Sequence, residues 1–206
     1  LEAGSNEARK AEKIRKAAQD AADIIQDLLT LARRGRYEMN VLNFNDEIGT
    51  FLESPGFAAI CERHQGVSLD VSLTSQGTFI KGSSAHLSKV FMNLMSNACE
   101  AMPDGGTLKI RTVVESLTTL HGGFSHIVPG QYVVFSVADS GVGIGEKDIS
   151  KIFEPYYSNK QMGQSGTGLG LSIVYGVVKD HSGYYDVFSE VERGTEFVLY
   201  FPLSTD

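Results

Sequence analysis

Apolar residues recur at alternating steps of three and four along the first helical stretch of the chain. This stretch, residues 6–34, contains no proline and is followed by Gly35, a common helix stop signal. Such spacing forms the continuous apolar seam of a coiled coil or a helical bundle. Because one helix cannot bury its own seam, the pattern predicts a partner helix; a solvated linker helix is the alternative. The seam comprises Ala11, Ile14, Ala18, Ala21, Ile25, Leu28 and Ala32.

The remainder of the chain mixes strand-like and helix-like patterns without a regular β-α-β alternation. A helix is expected to begin at Asn45, and a Pro-Gly pair interrupts it, which leaves open whether it resumes over residues 57–61. These patterns favour a two-layer α/β sandwich with helices on one face of a mixed sheet, preceded by the separate N-terminal helix. We therefore divide the chain into residues 1–36 and 37–206. Strands are predicted at residues 67–73, 78–81, 107–114, 131–138, 184–189 and 196–201, and helices at residues 84–102, 147–153 and 168–181.

Composition narrows the classes of protein to which the chain can belong. It has 206 residues, of which 42% are hydrophobic, enough for one core with an appendage. It contains no run of about 18 apolar residues and no secretory signal pattern, so we expect a cytoplasmic location and no membrane contact. Cys61 and Cys99 lie in apolar, helix-like contexts, and we expect them to be free thiols.

Charge is distributed unevenly along the chain. Residues 1–36 contain eight Lys/Arg and six Asp/Glu, a net charge of +2, so residues 37–206 carry −9 of the total of −7. A domain this acidic is a poor nucleic-acid binder. To hold a triphosphate it would need a divalent cation and oriented backbone N–H groups more than basic side chains.

Four short motifs suit the parts of a magnesium–nucleotide complex. They read NLMSNACEAM at residues 93–102, DSGVGI at residues 139–144, FEPYY at residues 153–157 and SGTGLGLS at residues 165–172. In the first motif Asn93 and Asn97 are four residues apart, so they share one face of the predicted helix. Two carboxamides can bind hydrated magnesium and phosphate oxygens without adding negative charge. The alternative interpretation is that both asparagines are simply solvated.

The second motif places a carboxylate at a strand end. Asp139 follows an apolar strand and can accept a hydrogen bond from the exocyclic amino group of adenine. Gly141 and Gly143 allow the backbone to turn and approach the base closely. Taken alone, the motif is an ordinary Asp-containing turn, which is more often structural than functional.

The glycine-rich fourth motif opens a predicted helix. Helix N-termini offer unpaired N–H groups and a partial positive charge, and glycines let phosphate oxygens come close. The motif is not a Walker loop, because no Gly-Lys-Ser/Thr follows, and it lacks the acidic residue of a Rossmann fingerprint. Lys160, just upstream, is a cation that could reach a terminal phosphate, although a lone surface lysine is the alternative.

In this order the motifs resemble the N box, first glycine box, F box and second glycine box of sensor histidine kinases. These kinases share a superfamily and the Bergerat-type ATP-binding fold with gyrase, the ninety-kilodalton heat-shock chaperone and mismatch-repair ATPases. The resemblance covers residues 43–202 and includes the Gly-Thr-x-Phe hairpin at residues 194–197. The stretches NACEAMPDGGTL and SIVYGVVKDHSGY are most similar to the nitrogen-regulator type and related hybrid kinases.

The resemblance implies a role for each matched residue. Asn97 would be the magnesium ligand, with Asn93 supporting it, and Asp139 would read adenine. Phe153 and Tyr156 would anchor the lid, and Asn93 and Lys160 would act in catalysis. ATPase relatives carry a Glu where Asn93 stands, so the resemblance favours a kinase over a hydrolase. The residues expected to bind ATP are Asn93, Asn97, Ala101, Asp139, Gly141, Gly143, Ile144, Phe153, Tyr156, Lys160, Ser165, Gly166, Thr167, Gly168, Leu169, Gly170, Leu171 and Thr195.

The same resemblance implies that residues 1–36 are the second half of a dimerising helical hairpin. The first helix of that hairpin carries the phosphorylated His, which an acidic residue follows. No such setting surrounds His64, His86, His121, His126 or His181. The implied reaction is therefore transfer of the γ-phosphoryl group of ATP to a His on a helix absent from this chain, within a homodimer. A response regulator Asp would receive the group next, and the chain could be the cytoplasmic part of a membrane-bound sensor. An ATP-hydrolysing switch of the same fold and a non-catalytic nucleotide-binding scaffold are the alternatives.

Overall fold

The computed structural model describes residues 6–32, 38–117, 127–157 and 168–204. Within these residues, five strands form one sheet in the order β2-β4-β5-β7-β6; β2 is parallel to β4, and the other neighbours are antiparallel. The predicted α/β sandwich is confirmed. The elements are α1 (Asn6–Ala32), β1 (Asn40–Asn43), α2 (Phe44–Leu52), α3 (Pro55–Arg63), β2 (Val67–Leu73), β3 (Phe79–Gly82), α4 (Ser84–Glu100), β4 (Gly106–Leu117), β5 (Gly130–Asp139), α5 (Glu146–Ile149), α6 (Gly170–Asp180), β6 (Tyr184–Glu190) and β7 (Gly194–Pro202).

The core lies between the sheet and the helices α2, α3, α4 and α6. Alternate residues of each strand point to the helices because a strand has a period of two. Phe44 lies at the centre of the core, with ring centroids 5.0 Å from Phe201, 5.3 Å from Phe135 and 5.5 Å from Phe91. These contacts fix α2 and α4 against the middle of the sheet. On β5 the inward-facing residues are Val133, Phe135 and Val137, and on β7 they are Phe197, Leu199 and Phe201.

The structure corrects several expected boundaries. Helix α2 begins at Phe44 rather than Asn45, because the Asn43 side chain caps it by accepting a hydrogen bond from the Asn45 N–H at 3.1 Å. After the Pro-Gly pair the chain does resume as a helix, α3, with Ser54 as its N-cap and Pro55 in its first turn. Helix α5 spans Glu146–Ile149, which is shorter than predicted.

Helix α1 leaves its apolar seam exposed in this chain. Ile14, Ile25 and Leu28 are 71%, 60% and 42% exposed, although α1 contacts α6. The partner helix therefore stays a prediction. None of the helices in the described ranges combines the length and apolar character needed to cross a membrane.

Candidate nucleotide-binding site

Strand β5 ends at Asp139, whose two carboxylate oxygens have different surroundings. Oδ1 accepts hydrogen bonds from the Gly141 N–H at 2.8 Å and from the Thr195 N–H at 3.3 Å. Oδ2 has no hydrogen bond within the described part of the chain. Burial raises the pKa of Asp139, and the two backbone hydrogen bonds oppose that rise. The carboxylate is thus fixed through one oxygen while the other can accept a hydrogen bond from a ligand.

The glycine turn after Asp139 is locked between two other elements. The Val142 N–H donates to the Ala101 carbonyl at the end of α4, and the Glu192 N–H donates to the Val142 carbonyl. A Cβ at Gly141 would overlap the Ala101 carbonyl oxygen, and one at Gly143, where φ is +69°, would overlap a backbone carbonyl of β6. Glycine is therefore required at both positions by close backbone approach.

A hydroxyl pair closes the same region from the β6–β7 hairpin. Thr195, at 5% exposure, lies opposite Ser189, and their hydroxyl oxygens are 2.8 Å apart. Ser189 Oγ also accepts the Ile144 N–H at 2.8 Å. The sequence predicted Thr195 and Ile144 but missed Ser189. Its signal was a polar residue at an inward position of β6, following Tyr185 and Val187 on the same face.

An open cavity of about 540 Å³ lies beside these groups. Asp139, Ser189 and Thr195 line it together with apolar groups of Ile149 and Val187. Carboxylate and hydroxyl oxygens against an apolar wall suit the edge and faces of a nucleobase. Asn93 and Asn97 do not line this cavity.

Helix α4 carries the two predicted asparagines away from the cavity. The Asn93 Nδ2 donates to the Lys89 carbonyl at 2.9 Å, and its Oδ1 would lie 2.6 Å from a Cβ at Gly170. Asn93 therefore abuts the first residue of α6. Asn97 is one turn, about 6 Å along the axis, before Ala101. It makes no side-chain hydrogen bond to any described residue.

Helix α6 begins where a phosphate is expected. Leu169 is its buried N-cap residue and makes no side-chain cap hydrogen bond to the N–H groups of the first turn. Gly170 and Leu171 form that first turn. The predicted residues Lys160, Ser165, Gly166 and Thr167 lie outside the described residues.

Two contacts hold the residues that flank residues 158–167. The Phe153 ring packs 4.7 Å from the Tyr185 ring and 6.1 Å from that of Tyr175. The Tyr156 N–H donates to the Gly168 carbonyl at 2.9 Å, and both residues have positive φ. Tyr156 is 68% exposed, so its contribution comes from its backbone.

The donor set fits magnesium held mainly by a nucleotide. No three His, Cys, Asp or Glu side chains within the described ranges form a group that could hold a metal ion. The available protein oxygens are the Asn97 amide and the Asn93 Oδ1, which are neutral, hard ligands. Magnesium keeps several waters and takes few protein ligands when phosphates complete its shell.

Comparison with known proteins identifies the family. Residues 82–205 match the family described as histidine kinase-, DNA gyrase B-, and HSP90-like ATPase. The chain is 32% identical to sensor kinase CckA of Brucella abortus (strain 2308) over 194 residues, which are 92% of this chain and 20% of that protein. It is 31% identical to sporulation kinase A of Bacillus subtilis (strain 168) over 183 residues, which are 87% of this chain and 26% of that protein. The chain thus spans about a fifth to a quarter of the length of these curated relatives.

Solved structures agree on the fold. Full-length ShkA in complex with AMPPNP superposes with a TM-score of 0.72 at 23% identity, covering 98% of this chain and 40% of that one. The catalytic domain of histidine kinase ThkA superposes with a TM-score of 0.63 at 24% identity, and the match covers 81% of this chain and 97% of that one. The resemblance drawn from the four motifs is confirmed: the chain belongs to the histidine kinase-, DNA gyrase B- and HSP90-like ATPase family and contains the ATP-binding catalytic domain of a sensor histidine kinase.

Proposed function

We propose that this chain binds Mg-ATP with adenine against Asp139 and directs the γ-phosphoryl group to a His on a helix that the chain lacks. The arrangement of Asp139 is the observation that carries this proposal. Two backbone N–H groups hold Oδ1, Oδ2 accepts no hydrogen bond from a described residue, and Asp139 lines a cavity large enough for a base. An oxygen that only accepts is the natural partner of the adenine amino group.

The phosphates would extend from this cavity along α4 towards the start of α6. Asn97 and the Asn93 Oδ1 would hold magnesium, which neutralises phosphate charge when it is bound. Gly168, Gly170 and Leu171 would present backbone N–H groups beside Leu169, and Lys160 with residues 165–167 would complete the phosphate site. In a domain of net charge −9, such neutral and backbone donors are the available means of holding a polyanion.

Kinase activity is favoured over hydrolysis by the amide at position 93. An amide is not a base, and the Asn93 Nδ2 is already bonded to the Lys89 carbonyl, so it cannot activate water by removing a proton. Phosphoryl transfer instead depends on positioning and charge neutralisation. The acceptor His would bring its own neighbouring acid or base.

The partners follow from α1 and from the relatives. The exposed seam of α1 would pair with the His-bearing helix in a hairpin, and two such hairpins would form a homodimer. A response regulator receiver domain would take the phosphoryl group onto an Asp. Because the nucleotide is cytoplasmic ATP, we place this domain in the cytoplasm.

A labelling experiment tests the proposal. The chain is incubated with γ-labelled ATP and magnesium, alone and with a hairpin that supplies a His followed by an acidic residue. The expected result is no label on this chain and acid-labile label on the added hairpin. Asp139→Ala should abolish that label, whereas Asp70→Ala, at an exposed site on β2, should preserve it. Acid-labile label on His64, His86, His121, His126 or His181 would contradict the proposal.

A further inference from the structure

Ser189 has a hydrogen-bonding position that the roles described above do not use. It is the last inward-facing residue of β6 and pairs with Thr195 across the hairpin. Its Oγ lies 2.8 Å from the Ile144 nitrogen, 3.1 Å from the Gly194 carbonyl oxygen and 2.8 Å from the Thr195 Oγ1. One hydroxyl thus meets a donor, an acceptor and a second hydroxyl.

Counting hydrogens decides how these contacts can be made. A serine hydroxyl has one hydrogen and two lone pairs. If Ser189 donates to Gly194, it can accept from both Ile144 and the Thr195 hydroxyl, and all three contacts are hydrogen bonds. If it donates to Thr195 instead, the Gly194 contact is lost and only two remain. Because Ser189 is half-buried beside the buried Thr195, the arrangement with three bonds is favoured.

We propose that Ser189 is a positioning residue that holds the Thr195 hydroxyl as an acceptor towards the nucleobase, so that the cavity selects a base with an exocyclic amino group. With its hydrogen committed to Ser189, Thr195 offers only lone pairs to the cavity. The ionised Asp139 carboxylate also offers only lone pairs, and its Oδ2 is available because both backbone N–H groups bind Oδ1. This inference rests on the proposed function, since it assumes that a base occupies the cavity.

The wall is therefore built from two acceptors side by side. The amino group of adenine has two hydrogens and can satisfy both. Hypoxanthine differs from adenine at two adjacent atoms, since it has a 6-oxo group in place of the amino group and a hydrogen on N1. Its 6-oxo group would place a third acceptor against the two acceptors of the wall. Removing the Ser189 hydroxyl frees the Thr195 hydrogen, which could then turn and donate to the 6-oxo group.

The experiment compares the affinities of ATP and inosine triphosphate, both with magnesium, by calorimetry on the whole chain. The measured quantity is the ratio of the two dissociation constants. Ser189→Ala should lower the preference for ATP about fivefold, the equivalent of one net hydrogen bond. Ser189→Thr, which keeps a hydroxyl, should restore the preference. A ratio within about twofold of the original in Ser189→Ala would overturn the inference even if ATP affinity falls.

A matched control lies at the other end of the sheet. Ser68 makes the same pattern, donating to the Gly106 carbonyl at 3.0 Å with its Oγ 3.1 Å from the Thr107 hydroxyl, but it does not line the cavity. Ser68→Ala should leave the ratio unchanged. A general loss of folding would lower the apparent affinity of both nucleotides equally, and so would not change the ratio.

A double-mutant cycle isolates the route of the effect. Thr195→Val removes the hydroxyl that Ser189 is inferred to orient. If Ser189 acts through Thr195, Ser189→Ala should change the ratio in the original chain and leave it unchanged in Thr195→Val. An equal change in both backgrounds would refute the inference. If ATP affinity does not depend on Asp139, the proposed function fails. If ATP affinity depends on Asp139 but the ratio of the two dissociation constants does not depend on Ser189, only this inference fails.

Discussion

Replacing Asp139 with Asn should stabilise the protein without nucleotide and weaken ATP binding. The substitution keeps an oxygen for the Gly141 and Thr195 N–H groups and turns Oδ2 into a donor. Burial raises the pKa of Asp139, so the ionised carboxylate is costly in the folded state. The new amide NH₂ cannot accept a hydrogen bond from the adenine amino group. The charge-assisted bond of the carboxylate is therefore lost, which costs about 1.5 to 3 kcal/mol, or roughly 10- to 150-fold in affinity.

The stability effect has a defined pH window. An Asp with a raised folded-state pKa destabilises the fold as pH rises from about 3.9, its value in the unfolded chain, and the cost is complete above the folded-state pKa. The advantage of Asp139→Asn should therefore grow as pH rises through the folded-state pKa and vanish below about pH 4. Saturating Mg-ATP should reverse the order, since a ligand at 100 times its Kd stabilises the folded state by about 2.7 kcal/mol.

Thermal unfolding with and without Mg-ATP, across a pH series, measures both effects in one assay. Asp70→Asn is the control, because Asp70 is exposed on β2 and should change neither the thermal midpoint nor the response to ATP. The reasoning is refuted if Asp139→Asn is less stable than the original chain at pH 7 without nucleotide. It is equally refuted if ATP raises the thermal midpoints of Asp139→Asn and of the original chain by the same amount.

Three further outcomes are expected. Chelating magnesium should weaken ATP binding, and Asn97→Ala should remove most of that dependence in calorimetry; equal ATP affinity of the original chain with and without chelator would exclude Asn97 as a ligand. Gly143→Ala should cost about 1 to 3 kcal/mol in urea unfolding, because φ is +69° and the methyl group would meet backbone, whereas Gly49→Ala, in open space on α2, should be neutral or stabilising. Burial lowers the pKa of His181 and His86, so the free energy of unfolding should fall as pH drops below about 6.5, and His181→Gln should reduce that slope.

The predictable parts of the fold are those that local periodicity controls. The period of two in β5 carries straight to Asp139, and the spacing of apolar residues in α4 fixes which face holds Asn93 and Asn97. These segments are long, and their burial pattern repeats several times. Local sequence was therefore sufficient to predict that Asp139 ends a strand and that Asn93 and Asn97 lie on α4.

The missed parts depend on residues distant in sequence. Strand β1 has four residues and pairs with β3 almost forty residues later, so its own sequence has little strand signal. The start of α2 depends on Asn43, whose Oδ1 also accepts from the Thr78 hydroxyl at 2.6 Å. Ser189 gains its importance only because folding brings it to the Ile144 N–H. In the last two cases a polar side chain acquires its role from a tertiary hydrogen bond, and in the first the strand forms only through distant backbone pairing.

The polarity of the site also determines which way a nucleotide can lie. At the β5 end the free groups are acceptors, Asp139 Oδ2 among them, and a phosphate there would face a carboxylate. At the α6 end the first turn directs backbone N–H groups out of the helix N-terminus, where the helix dipole is positive. A ligand with a donor edge at one end and a polyanion at the other fits in one direction only. Helix α4 separates the two ends, about 12 Å from Ala101 to Asn93 along its axis. That separation sets where the γ-phosphoryl group would emerge, beside Asn93 and the start of α6, and it would have to meet the acceptor His there.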